Sequence, residues 1–152
     1  MSIQDLAKAY QLSTEEFLHL IQSISPSDLD RSDSEGWTPR QVIHHVADSE
    51  AQSYARLRRL IAEPGTMIQG YDEGKWASTP TLGYSEADVD TAIAVFTAVR
   101  NASFQLLLRL SEGELANSGT HSESGEYSVQ TWLDTYISHP KDHAQQIREQ
   151  LG

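Results

Sequence analysis

The chain contains no cysteine. Disulfides, zinc–thiolate sites, iron–sulfur clusters and a cysteine nucleophile are excluded together. Any metal ion has to sit on histidine, aspartate or glutamate, and any thiol chemistry has to use the sulfur of a cosubstrate. Basic residues are scarce: 11 Lys and Arg stand against 22 Asp and Glu, a formal charge of -11 with histidine neutral. Such a chain repels phosphate backbones and anionic lipid surfaces, so neither nucleic acid nor membrane is expected as a partner. Long apolar runs are missing as well, and clusters such as Leu106–Leu108 are far too short to span a bilayer. The opening MSIQDLAKAY lacks the basic and apolar regions of a secretory signal, and the cytoplasm is the expected location.

What is present is a chain of 152 residues with 38% apolar content and aromatics spread along it, which fits one folded domain over residues 1–152. Four stretches carry a helical repeat and none shows sustained strand alternation. The first runs from about Ser13, capped with Glu16, to Ile24, after a short patterned piece at Ile3, Leu6, Ala7 and Tyr10. The second runs from Thr38, an N-cap followed by Pro39, to about Ala62. The third covers about Ser85 to Leu110, with a stripe through Val89, Ile93, Phe96, Val99, Ser103 and Leu107. The fourth covers about Ser128 to Leu151, with a stripe through Val129, Trp132, Leu133, Tyr136, Ala144 and Ile147. Four long amphipathic helices predict an all-α four-helix bundle. A polar link over residues 25–37 joins the first pair. Residues 63–84 are long for a helix-to-helix turn, yet long enough to run back along a helix of roughly 35 Å at about 1.5 Å per residue. Helices two and three can therefore point the same way, joined by an overhand strap.

His139 and His143 stand four residues apart on one helix face. They lie seven residues after Trp132 and Tyr136, so both fall on the apolar stripe. Two buried imidazoles need partners. Hydrogen bonds within a core are one solution and a shared metal ion is another. The residue after His139 is Pro140, so the HExxH pattern of zinc proteases is absent. Pro140 either breaks the helix or kinks it, and the unbroken phase of the stripe favours a kink. A third ligand comes from the second helix, where His45 shares a stripe with Val42, Val46 and Ser49 while His44 turns toward Arg40 and Asp48. His45 stands roughly 10 Å from the start of its helix and His143 roughly 12 Å from the end of its own, so antiparallel helices bring them level. Three neutral imidazoles with a position left open are the donor set of a catalytic zinc site. Asp48, Glu50 and Asp142 are candidate acid–base or supporting carboxylates; solvated helix charges are the competing reading, above all for Asp48 and Asp142. Tyr71 and Trp76 on the strap can wall a pocket or simply pack it down, and His121 can reach in from the loop before the last helix or stay on the surface. Trp37 reads as a hydrophobic anchor.

The stretch Trp37-Thr-Pro-Arg-Gln-Val-Ile-His-His-Val-Ala-Asp-Ser-Glu50 resembles the second-helix signature of the DinB/YfiT-like family of metal-dependent proteins. His139-Pro-Lys-Asp-His143-Ala-Gln-Gln-Ile147 resembles its last-helix signature. Tyr71-Asp-Glu-Gly-Lys-Trp76-Ala and His121-Ser-Glu-Ser-Gly125 are similar to the strap and the final loop of its YfiT branch, which resembles bacillithiol transferases. The resemblance spans residues 14–150. It implies an up-down-down-up bundle, often a homodimer, with zinc or nickel on His45, His139 and His143. It also implies an enzyme acting on a small molecule, a thiol S-transferase or a hydrolase, with a low-molecular-weight thiol as a possible cosubstrate. The alternative is a noncatalytic bundle that binds a small ligand or its own copy, with an inert metal or none.

Overall fold

The computed structural model describes residues 1–32 and 36–152. Four long helices carry the fold: α1 (Ile3–Ser23), α2 (Pro39–Ala62), α4 (Val89–Leu107) and α5 (Val129–Leu151), with a short α3 (Glu73–Ser78) on the strap. Their starts follow from capping chemistry. Thr38 Oγ1 accepts from the Gln41 amide at 3.2 Å while Gln41 Oε1 accepts from the Thr38 amide at 2.9 Å, and Pro39 fills the first helical position. Ser128 and Asp88 cap α5 and α4 by accepting from the Thr131 and Asp90 amides. The polar link after α1 falls partly, at residues 33–35, outside the described residues.

One sequence expectation is corrected and one feature is added. α1 does not begin at Ser13: it starts at Ile3, capped by a Ser2–Asp5 box, so the leading patterned piece and the first helix are one rod. Ser13 is buried in its interior and its hydroxyl donates to the Tyr10 carbonyl at 2.9 Å. A small sheet also appears where the sequence shows no strand alternation, because strands of two and four residues are too short to display a period. β1 (Met67–Ile68) on the strap pairs in parallel with β2 (Ser118–His121), which pairs antiparallel with β3 (Gly125–Ser128). The last helix, in contrast, runs unbroken through Pro140.

Side-chain pairings fix the helix directions. Tyr10 stacks on Trp132 and Glu16 meets Arg148, so α1 and α5 are parallel. Trp132 donates to the Ser53 carbonyl at 3.0 Å, Tyr136 faces Ser49 and His139 faces His45, so α2 and α5 are antiparallel. His44 meets the Ala87 carbonyl and Arg58 meets Ser103, so α2 and α4 are parallel. The topology is up-down-down-up, with the strap as the long crossover. Among the described residues no helix is long and apolar enough to cross a membrane.

The core is split into two apolar layers. One is built on Tyr10, Leu57, Leu60, Leu107, Trp132 and Leu133, the other on Phe17, Val42, Val46, Phe96, Ala144 and Ile147. Between them every long helix turns polar residues inward: Ser13 and Thr14, Ser49 and Glu50, and Arg100 and Ser103, all buried, and the half-buried His139. Arg100 on α4 is 1% exposed and uses all five of its N–H groups. Nε donates to Thr14 Oγ1 at 2.7 Å, and Nη2 donates to the Tyr10 carbonyl and Ser13 Oγ at 2.8 and 2.7 Å. Nη1 donates to Glu50 Oε1 at 3.3 Å and to the Tyr136 carbonyl at 2.7 Å. A proline inside a helix costs about 3 kcal/mol, in part because the carbonyl four residues earlier loses its amide partner. Here that carbonyl belongs to Tyr136, and the guanidinium occupies it.

The strap is tied to the last connector through Gly119, where a side chain would collide with the Thr66 carbonyl. The same carbonyl accepts from the Thr120 amide at 2.9 Å. Gly119→Ala is expected to lower the unfolding free energy by about 1–3 kcal/mol while the native helical circular dichroism stays the same. Urea unfolding followed by far-UV dichroism checks this, and an unchanged midpoint contradicts it.

Candidate metal centre

His45, His139 and His143 meet inside the bundle, where each offers one ring nitrogen within 4.8 Å of the other two. His139 is central: its Nε2 lies 3.3 Å from Nε2 of His45 and 3.1 Å from Nε2 of His143. Helix periodicity places the pair on α5, and the opposed direction of α2 brings His45 to their level. Of the adjacent histidines on α2, His45 is the inward one at 1% exposure. His44 instead meets the Ala87 carbonyl at 3.0 Å and stacks on Tyr84.

Burial sets the charge of the site. Desolvation, with the nearby His143, holds His45 down to about 4. Desolvation first, then the two other rings and Arg100, hold His139 down to about 2. Desolvation lowers His143 as well, opposed by Gln146 and by the carboxylates of Glu73 and Asp142. All three rings are therefore neutral near pH 7, with lone pairs to offer. Gln146 Oε1 lies 2.7 Å from Nδ1 of His143. With that oxygen accepting, the proton sits on Nδ1 and Nε2 presents its lone pair to the cluster. Nδ1 of His45, Nδ1 of His139 and Oε2 of Glu50 are buried without partners.

The other candidate residues divide by position. Glu50 is fully buried, and desolvation raises it to about 7 against the pull of Arg100. Asp48 accepts from the Tyr84 hydroxyl at 2.6 Å and lines a cleft of about 400 Å³ between α2 and α4 with His44. Asp142 is exposed on the outer side of α5. Tyr71 and Trp76 are partly buried with ring centroids 4.5 Å apart, and burial pushes the Tyr71 hydroxyl up to about 12. The Glu73 charge acts to raise both Tyr71 and His143. His121 is held in the β2–β3 turn, where its Nδ1 accepts from the Glu123 amide at 3.1 Å and its ring stacks on Tyr127. Trp37 lies with its ring centroid 5.0 Å from that of His45, an anchor that also walls the site.

Three residues around the centre escape the sequence reading. Gln146 was readable as the position three after His143. Glu73 was not, because only the folded strap brings it close. Arg100 stands four residues after Phe96 and three before Ser103, in phase with the buried stripe of α4, and a charge in that phase was the available signal.

The donor set fits a divalent cation. Three neutral imidazoles suit zinc, nickel and their neighbours in the transition series. Nε2 of His139 lies 3.1–3.3 Å from the other two Nε2 atoms, and lone pairs facing at such distances repel unless a cation or a proton lies between them.

Comparison with known proteins agrees with this geometry. A protein of Bacillus mycoides (strain KBAB4), named "Putative metal-dependent hydrolase", is 34% identical over 120 residues, covering 77% of this chain and 68% of its own length. Other Bacillus relatives of the same description are spanned to 63% of their length. Among solved structures, YfiT from Bacillus subtilis, described as "a probable metal-dependent hydrolase with an unusual four-helix bundle topology", superposes with a TM-score of 0.88 at 24% identity, over 99% of this chain and 87% of its own. A mycothiol-dependent maleylpyruvate isomerase superposes with a TM-score of 0.76 at 14% identity, over 97% of this chain and 61% of its own. At these identities the two structures speak for the fold alone. The model of the DinB superfamily matches residues 9–147, and with the relatives above it establishes that this chain is a member of that superfamily.

Proposed function

We propose that His45, His139 and His143 hold one divalent metal ion, zinc or nickel, and that the protein is a metal-dependent enzyme acting on a small molecule. The observation that carries this reading is the convergence of three neutral imidazole nitrogens in the bundle interior. When bound at such a site, a divalent ion acts as a Lewis acid and lowers the pKa of water or of a thiol. The chain's own residues supply the setting. Burial keeps the rings uncharged, and Gln146 fixes the tautomer of His143. Glu50, buried five residues beyond His45 on α2 with its Oε2 unpartnered, is the candidate supporting carboxylate. Tyr71 and Trp76, an aromatic pair on the strap, are the candidate pocket residues. The names of the sequence relatives support a hydrolase. A thiol S-transferase is the alternative, since a neighbour of the same fold is named mycothiol-dependent. Since the chain has no cysteine, a transferase of this fold takes its sulfur from a low-molecular-weight cosubstrate.

Chelation followed by reconstitution with zinc or nickel is expected to give about one metal ion per chain, read by mass spectrometry, as for a single three-histidine site. The combined His45→Ala, His139→Ala and His143→Ala variant is expected to hold none. Retained metal in that variant refutes the ligand assignment. Electrophiles offered with and without a thiol then separate the two reaction types: turnover that needs the thiol marks a transferase, and turnover without it a hydrolase.

The neutral rings also set a pH dependence. An unfolded histidine takes up its proton near pH 6.5, whereas folded His45 and His139 do so only near 4 and 2. Their folded values are depressed, so their contribution to stability is whole above about pH 6.5 and is lost as the pH falls toward 4. Glu50 acts with the opposite sign: its folded value is raised to about 7, and its contribution is lost as the pH rises through that value. In metal-free protein, His45→Gln/His139→Gln is expected to flatten the fall in stability between pH 6.5 and 4 by up to about 1.4 kcal/mol per pH unit for each histidine. Urea unfolding across that range tests it, and equal slopes contradict the neutral assignment.

A further inference from the structure

We propose that Arg100 is a positioning residue of the metal centre: it holds the carbonyl that Pro140 leaves without a helical partner, and so sets where His139 stands relative to His45. The inference rests on the metal reading given above and extends it to a residue that touches none of the three imidazoles.

Three observations converge on it. In an uninterrupted helix the Tyr136 carbonyl would accept from the amide of residue 140, and that bond would fix the turn containing His139 from within α5. Proline removes the amide. Arg100 Nη1, reaching across from α4, meets that carbonyl at 2.7 Å. The turn bearing the central histidine is therefore located by a neighbouring helix.

The same Nη1 also meets Glu50 Oε1 at 3.3 Å, five residues beyond His45 on α2. One nitrogen thus grips both helices that carry the imidazoles. The remaining three N–H groups anchor the guanidinium to α1 through Thr14, Tyr10 and Ser13, and its Cζ lies 3.5 Å from the Tyr10 ring centroid. With five donors used and an aromatic face beneath it, the guanidinium has one place to be. The 3.3 Å approach of His45 to His139 inherits that definition.

The fork geometry matters as well as the charge. A lysine ammonium has three donors and no plane, so it cannot hold five acceptors on three helices together.

Cobalt(II) is a suitable probe, because its visible absorption reports coordination independently of turnover. The full-length chain is titrated with cobalt(II) against a competing chelator, and folding is followed by far-UV dichroism. Arg100→Lys is expected to fold, to weaken cobalt binding at least tenfold and to alter the absorption band. Adding Pro140→Ala to Arg100→Lys restores the helical amide, and is expected to recover at least half of the lost affinity on a logarithmic scale. A purely structural role for Arg100 would lower stability without this rescue.

A folded Arg100→Lys with unchanged affinity and band overturns the proposal, as does a second substitution that recovers nothing. Should Arg100→Lys not fold, Thr14→Val decides, since it removes one acceptor and keeps the arginine. Weaker cobalt binding then supports the positioning role, and unchanged binding rejects it. Wild-type protein that takes up no cobalt, zinc or nickel fails the metal reading itself, an outcome distinct from a wild type that binds and variants that bind equally well.

Discussion

A guanidinium with no access to water is the constraint around which the bundle is arranged. An unpaired buried charge is worth several kcal/mol of destabilisation, so Arg100 can exist at the centre only if every N–H finds an acceptor. Those acceptors come from α1, α2 and α5, and Arg100 itself stands on α4, so all four long helices have to arrive in one register for the charge to be tolerated. Apolar packing alone does not impose such a requirement, since layers of leucine and valine tolerate sliding and rotation. The two apolar layers supply cohesion and the polar band between them supplies the register. The three histidines lie at that band, where a sub-ångström error in helix position would separate their nitrogens.

The same band explains how neutral imidazoles and a buried acid coexist. Carboxylate and imidazoles share one poorly solvated layer, and desolvation drives them in opposite directions, the acid upward and the rings downward. Arg100 opposes the rise at Glu50 and adds to the fall at His139. The outcome is a layer in which donors and acceptors are set by position within the bundle rather than by exchange with solvent.

Much of this was legible in the residues. Thr38 with Pro39, and Ser128, mark helix starts because an N-cap oxygen and a proline at the first position each solve a local problem that the sequence displays. The inward turn of His45 and the outward turn of His44 follow from helical phase, as does the common face of His139 and His143. The long crossover followed from the length of residues 63–84. Other features were hidden for physical reasons. Ser13 looked like a cap because a serine three residues before a glutamate has capping chemistry in isolation, yet here its hydroxyl is needed within the helix by Arg100. Strands as short as Met67–Ile68 carry no periodicity. Pro140 read as a defect of α5 because its compensating donor lies 40 positions earlier, and sequence spacing does not reveal a bond of that range.

The parallel pairing of β1 with β2 has a consequence for how such a bundle diversifies. It couples two connectors that are distant in the chain, one between the inner helices and one preceding the final helix, into a single mechanical unit. Residues that face the histidines from the crossover cannot be exchanged as an independent cassette, because a change in its length or path displaces the hairpin docked beside it. Recombination among relatives should therefore succeed when both connectors are inherited from one parent. Chimeras that mix them inherit a mismatch far from either splice point.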